Sequence, residues 1–197
     1  MMMRTQRESG GMSVATKLCV VRHANIEKKL DRVPELWPLS PTGKLRTTEL
    51  ARREEWKYVK KLYHSPELKA RQTAEIISEI TGIPVQPLWD LRDVTSSVMP
   101  NSEVTGSLLA QEHYVYESAT EATERIVNCI RTVMKSHWGQ EVGIISSDRV
   151  LALLYAHILK RKISLLEWLN VSLPGLSVID VEHWKITRGF CAKELEE

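Results

Sequence analysis

The chain has 197 residues, 43% of them hydrophobic and 26% charged, enough for one well-buried core in a soluble globular protein. No apolar stretch approaches the length of a membrane span, and the 27 basic and 25 acidic residues are interleaved, so neither a membrane role nor a nucleic-acid-binding face is expected. Cys19, Cys129 and Cys191 lie far apart, without the spacing of a zinc site or a disulfide framework, and a reduced, cytoplasmic setting is the simplest reading.

Residues 1–15 hold three initial Met, two Arg, Ser and Gly-Gly but no apolar signal core. They read as a loose tail before a single domain over 16–197. The run Leu18-Cys19-Val20-Val21 predicts a buried strand at 17–22, and a polar loop through Asn25 and Asp31 follows it. Ser40-Pro41 reads as N-cap and first residue of a helix through Leu45, Leu50 and Ala51. After a strand candidate at 56–63, Ser65-Pro66 repeats that grammar for a helix striped by Ala70, Ala74, Ile76, Ile77 and Ile80 and stopped by Gly82. A short strand is expected at 83–87. Residues 95–118 have no clear period and read as an irregular insertion of the kind that forms a lid or substrate wall. Beyond it come a helix at 120–137, a strand at 142–145 ending in Ser146-Ser147, and helices at 150–159 and 165–169. Strands near 176–181 and 184–187 close the chain. This alternation predicts an α/β three-layer sandwich, a mostly parallel central sheet flanked by helices.

Arg22-His23 follows the first strand and so falls at the carboxyl edge of the sheet, where ligands of open α/β sheets bind. Taken alone, a histidine there is equally a nucleophile, a base, a ligand or a structural group. Other segments narrow the choice. Val21-Arg22-His23-Ala24 is similar to an Arg-His-Gly signature with Ala for Gly, and Pro38-Leu39-Ser40-Pro41-Thr42-Gly43 to a Leu-Thr-x-x-Gly helix start. Ser65-Pro66-Glu67-Leu68-Lys69-Ala70-Arg71-Gln72-Thr73-Ala74 looks like a Ser-Pro-x-x-Arg-Ala-x-x-Thr-Ala helix with Lys69 at the arginine position. Leu91-Arg92-Asp93 falls at a Leu-x-Glu, and Glu117-Ser118 with Arg125 is similar to a later signature. Together these segments resemble the histidine phosphatase superfamily, the phosphoglycerate-mutase-like phosphatases.

The resemblance implies hydrolysis of a phosphomonoester through a phosphohistidine at His23. Asp93 would be the acid and then the base, and Arg22, Lys69 and Ser147 would contact the phosphate. It also implies a small phosphorylated substrate and no metal or other cofactor. The chemistry is consistent, because a dianion is open to attack only where fixed cations neutralise its oxygens. Arg71, two residues from Lys69, turns about 200° away on the helix and reads as a surface residue. This chain departs from the family pattern where Ser147 stands at the place of a second histidine. Asp148 follows it, Lys69 lacks the planar fork of arginine, and Asp93 is one methylene shorter than glutamate. His64, ending the neighbouring strand, is a candidate to replace part of that imidazole. The competing reading is a pseudophosphatase that binds a phosphorylated ligand or protein without turnover.

Overall fold

The structure, a computed structural model, describes residues 17–94 and 117–190. The expected tail, Cys191 and nearly all of the expected insertion lie outside the described residues. One six-stranded sheet carries the fold: β1 (Lys17–Arg22), β2 (Val59–His64), β3 (Val85–Pro87), β4 (Glu141–Ser146), β5 (Gly175–Asp180) and β6 (Lys185–Arg188), in the spatial order β3-β2-β4-β1-β5-β6. The pairings β3–β2, β2–β4 and β4–β1 are parallel, and β5 and β6 complete the sheet antiparallel. The fold is therefore the mixed, mostly parallel α/β sandwich that the alternation predicts.

Successive residues of a strand point to opposite faces, and this divides the core in two. Cys19 and Val21 of β1, Leu62 of β2 and Ile145 of β4 pack under α1 (Pro41–Ala51) and α2 (Leu68–Thr81). On the other face Leu18, Val20, Val142 and Ile144 pack under α3 (Ala119–Ser136) and α4 (Asp148–Leu159), with Trp168 of the short α5 (Leu165–Leu169). Strands covered on both faces read as unbroken apolar runs, hence their visibility in the sequence. Cys19 and Cys129 are free and buried, one in each half, and burial pushes both thiols up to about 12. They are packing groups rather than nucleophiles.

Among the boundaries that differ from the sequence reading, three bear on the site and its core. Strand β2 starts at Val59, because Trp56 closes a 3-10 turn and its buried indole donates to the carbonyl of Leu50 at 2.8 Å. Ser65 is not the cap of α2. Its N–H donates to the carbonyl of Ile145 at 2.9 Å, which extends the sheet ladder by one residue, and the N-cap is Glu67, whose side chain makes no capping bond to the helix. Helix α4 begins at Asp148 rather than 150, directly after the strand end. Gly82 ends α2 in the left-handed region at φ 72°, as the sequence suggests, and Ser118 with Glu121 forms a capping box that starts α3.

Parallel packing of β2, β4 and β1 gathers their carboxyl ends at one edge, with β4 in the middle. Arg22 pairs with Ser146 and His64 with Ile145, so the residues just beyond, His23 and Ser147, share that edge. Side chains of the quoted segments tie the edge together. Thr73 Oγ1 accepts the N–H of Ala24 at 3.2 Å, Gln72 Oε1 accepts that of Leu39 at 2.8 Å, and Asn25 O accepts that of Ser40 at 2.9 Å. Gly43 presses α1 against the same loop, since a Cβ there would sit 2.2 Å from Asn25 O, inside any van der Waals contact. Gly43→Ala should cost roughly 1–3 kcal/mol in urea unfolding, because backbone rather than a movable side chain is in the way. A loss below about 0.5 kcal/mol would show that the loop after β1 yields freely.

Candidate functional site

Arg22, only 3% exposed, ends β1 on the α3/α4 side of the sheet. A buried guanidinium needs acceptors, and it finds three. Nε donates to Asp148 Oδ1 at 2.5 Å, while Nη1 donates to the carbonyls of Trp168 at 3.1 Å and Val171 at 3.0 Å. The guanidinium carbon also lies 5.3 Å from the Trp168 ring centroid, within cation–π range. Burial alone would raise the Asp148 carboxyl. The Arg22 hydrogen bond, the adjacent His23 ring and the charges of Arg22 and Lys69 outweigh burial and hold it below the usual carboxylate range.

His23, also 3% exposed, points to the opposite face, toward α2. Its Nδ1 lies 2.8 Å from the carbonyl oxygen of Ala24, an acceptor only, so Nδ1 carries the proton and the lone pair of the neutral ring sits on Nε2. Nε2 is buried without a hydrogen-bond partner, 3.7 Å from Asp148 Oδ1. Burial pushes this imidazole below its ordinary value, with Lys69 and Arg22 adding to the effect and Asp148 and the Ala24 carbonyl opposing it. The ring is neutral near pH 7, as a nucleophile must be.

Ser147 is the N-cap of α4 and fully buried, yet its Oγ bonds nothing. Lys69 is the second residue of α2, half-buried, and its charge is felt by both His23 and Asp148. Arg71 points outward and pairs with Glu75 at 3.5 Å on the exposed side of the same helix. Asp93 stands farther out. Its Oδ1 accepts from Val94 N and its Oδ2 pairs with Arg149 at 3.3 Å, so Arg149 is turned to Asp93 and leaves Asp148 to Arg22. The loop that carries Asp93 is held from two sides. Glu67 Oε1 accepts the Asp93 N–H at 2.9 Å, and Arg125, paired with Glu117 through two bonds of 2.6 Å, donates to the carbonyls of Asp90 and Arg92. The Arg125 hydrogen bonds hold Glu117 below its usual range.

Of the sequence-predicted site residues, the structure brings Arg22, His23, Lys69 and Ser147 to one edge and sets Asp93 at its rim. Two features were not visible beforehand. One is the Asp148–Arg22 bond, which joins positions 126 apart and depends on β4 lying beside β1. The other is a set of buried, unbonded polar atoms: His23 Nε2, Asn25 Oδ1, Ser65 Oγ, Glu67 Oε2 and Ser147 Oγ all follow the carboxyl ends of β1, β2 and β4. Buried polar atoms without partners are costly, and a cluster of them at a ligand-binding edge marks a place where a polar group belongs. Among the described residues no group of three or more His, Cys, Asp or Glu is placed to hold a metal ion, and no helix is long and apolar enough to cross a membrane.

Comparison with solved structures places this geometry in context. A protein from Bacillus stearothermophilus, YhfR, superposes with a TM-score of 0.68 at 18% identity over 89% of this chain and 96% of its own. A mutant phosphoserine phosphatase from Entamoeba histolytica in complex with phosphoserine also gives 0.68, at 16% identity over 89% and 96%. The protein histidine phosphatase SixA complexed with tungstate gives 0.62, at 12% identity over 90% and 97%. These likenesses establish the fold. No curated protein matches the sequence. The profile of the histidine phosphatase superfamily, branch 1, matches residues 18–188, nearly the whole described chain, and the protein therefore belongs to that superfamily.

Proposed function

We propose that the chain is a phosphomonoesterase acting through a phosphohistidine at His23, on a small phosphorylated substrate, in the cytoplasm and without metal or cofactor. The observation that carries this reading is the His23 imidazole: neutral, fixed through Nδ1, with an unbonded Nε2 aimed into a polar edge. Relatives in fold that were captured with phosphoserine and with tungstate, a tetrahedral oxyanion, support it.

In the first step Nε2 forms a bond to phosphorus while the bond from phosphorus to the ester oxygen breaks, and Asp93 delivers a proton to that leaving oxygen. In the second, water attacks the phosphohistidine, gives its proton to Asp93 and releases inorganic phosphate. Lys69 and Arg22 stabilise the charge spread over the phosphoryl oxygens, and Ser147 donates one neutral hydrogen bond. Asp93 has to turn from Arg149 to reach the leaving group. A second reading, phosphate binding without turnover, draws on Asp148: its carboxylate holds Arg22 and lies beside His23 Nε2, in the space a phosphoryl oxygen would need.

Wild type incubated with p-nitrophenyl phosphate should release phosphate and accumulate an acid-labile phosphoenzyme, both absent in His23→Ala. Equal inactivity of the two proteins, with phosphate still bound, selects the binding-only reading. Ser147→His adds a chargeable donor and should raise turnover by up to roughly a hundred- to a thousandfold. In Asp148→Asn the competing charge is gone while the shape is kept. This variant should melt lower than wild type in phosphate-free buffer and bind inorganic phosphate roughly ten- to a hundredfold tighter. Unchanged affinity by calorimetry would mean the carboxylate does not occupy the anion's place. Because burial depresses His23 and only the neutral ring attacks, activity should fail on acidification below pH 6.5, the ordinary histidine value, rather than at it. A kcat/KM profile whose acid limb sits above pH 6.5 would contradict that environment.

A further inference from the structure

The orphaned atoms at the carboxyl edge raise a question of supply. A phosphoryl group on His23 presents three oxygens; Arg22 Nε is taken by Asp148 and Nη1 by two carbonyls, which leaves Nη2, the Lys69 ammonium and the Ser147 hydroxyl as donors. On the α1/α2 side, where His23 lies, Ser147 supplies no charge, and an imidazole stands on the neighbouring strand.

We infer that His64 is a phosphate-contacting residue of this site, its imidazole reaching the anion from β2. The inference rests on the phosphatase reading above. Four observations carry it. First, side-chain parity: Leu62 packs on the α1/α2 face together with Ile145 and Val21, so His64, His23 and Ser147, each two residues further along, share that face. Second, position: His64 pairs with Ile145 across β4, while His23 N–H donates to Ser146 O at 3.2 Å, which puts the two imidazoles on either side of Ser147. Strands β2 and β1 flank β4, two strand spacings or about 10 Å apart, a gap in which one tetrahedral anion meets a side chain from each side.

Third, His64 is locked in the same way as His23. Its Nδ1 lies 2.7 Å from the carbonyl of the next residue, Ser65, as that of His23 lies 2.8 Å from Ala24. Each carbonyl fixes the proton on Nδ1 and leaves Nε2 as the ring nitrogen for any further contact. Fourth, His64 is only 5% exposed, and the hydroxyls near it, Ser147 Oγ and Ser65 Oγ, are buried without a hydrogen-bond partner, so this stretch of the edge holds unused donors. An imidazole whose Nδ1 proton is given to a carbonyl donates from Nε2 in its protonated form, the form a neighbouring dianion favours, and that form supplies a charge that Ser147 cannot.

The test uses the full chain labelled with ¹⁵N in its imidazoles and inorganic phosphate as the probe. Titration should shift the Nε2 resonances of His23 and His64 together, with His64 moving toward the protonated form. His183, paired with Asp180 at the far end of β5, should stay still. A shift at His23 with none at His64 overturns the inference and leaves the phosphate site standing. No shift at either overturns both. In a second arm, His64→Leu, shown folded by circular dichroism, should weaken phosphate binding about tenfold or more, the value of one lost charge-assisted hydrogen bond. Ser147→His placed in the same variant should restore the binding. Wild-type affinity in folded His64→Leu would sink the assignment.

Discussion

A guanidinium buried at the end of a central strand must be matched by acceptors, and the manner in which Arg22 is matched governs much of this molecule. Its three bonds reach the first residue of α4, the last turn of α5 and the segment before β5, so one side chain fastens β1 to three parts of the chain more than 120 residues away. Leaving a buried charge unpaired costs several kcal/mol, and in the absence of an anion Asp148 prevents that. The protein groups are thus satisfied on the Arg22 side and unsatisfied on the His23 side. Any anion bound there gains the unbonded hydroxyls of Ser65 and Ser147 but has to contend with a carboxylate already in place.

Most of the fold was legible in the sequence for reasons that can be named. Strands β1 and β4 are buried on both faces and so appear as unbroken apolar runs, and α1 and α2 announce themselves through Ser-Pro pairs and a terminal glycine. Misreadings occurred where two physical signals share one residue pattern. Trp56 next to a β-type run looks like strand, yet its indole needs an acceptor that the end of α1 provides. Ser65 before a proline looks like a cap, yet the sheet claims its N–H first, a fact that depends on β4 being the neighbour of β2. The site divides in the same way. Residues at motif positions could be named in advance, whereas the embrace of Arg22 by Asp148 required knowing which strand lies beside β1.

The recognisable segments also do more than supply chemistry. Thr73 and Gln72 receive the backbone of the loop after β1, Gly43 allows α1 to touch it, and Arg125 with Glu117 braces the segment before Asp93. Reactive side chains are few, and the remainder of each segment fixes where they stand. Rigid support of this kind keeps the reacting atoms close to their productive positions.

Arg22 and His23 are consecutive, yet alternation sends one to the α3/α4 half of the core and the other to the α1/α2 half. Between the two halves runs the backbone ladder of the sheet, and at its carboxyl edge Asp148 Oδ1 lies against both Arg22 and His23. An anion held jointly by both side chains would therefore act as a cross-brace between two separately packed layers. Occupancy at a single edge would then be felt as slower opening of both layers together, and the cooperativity of the whole domain would rest in part on whatever fills so small a space.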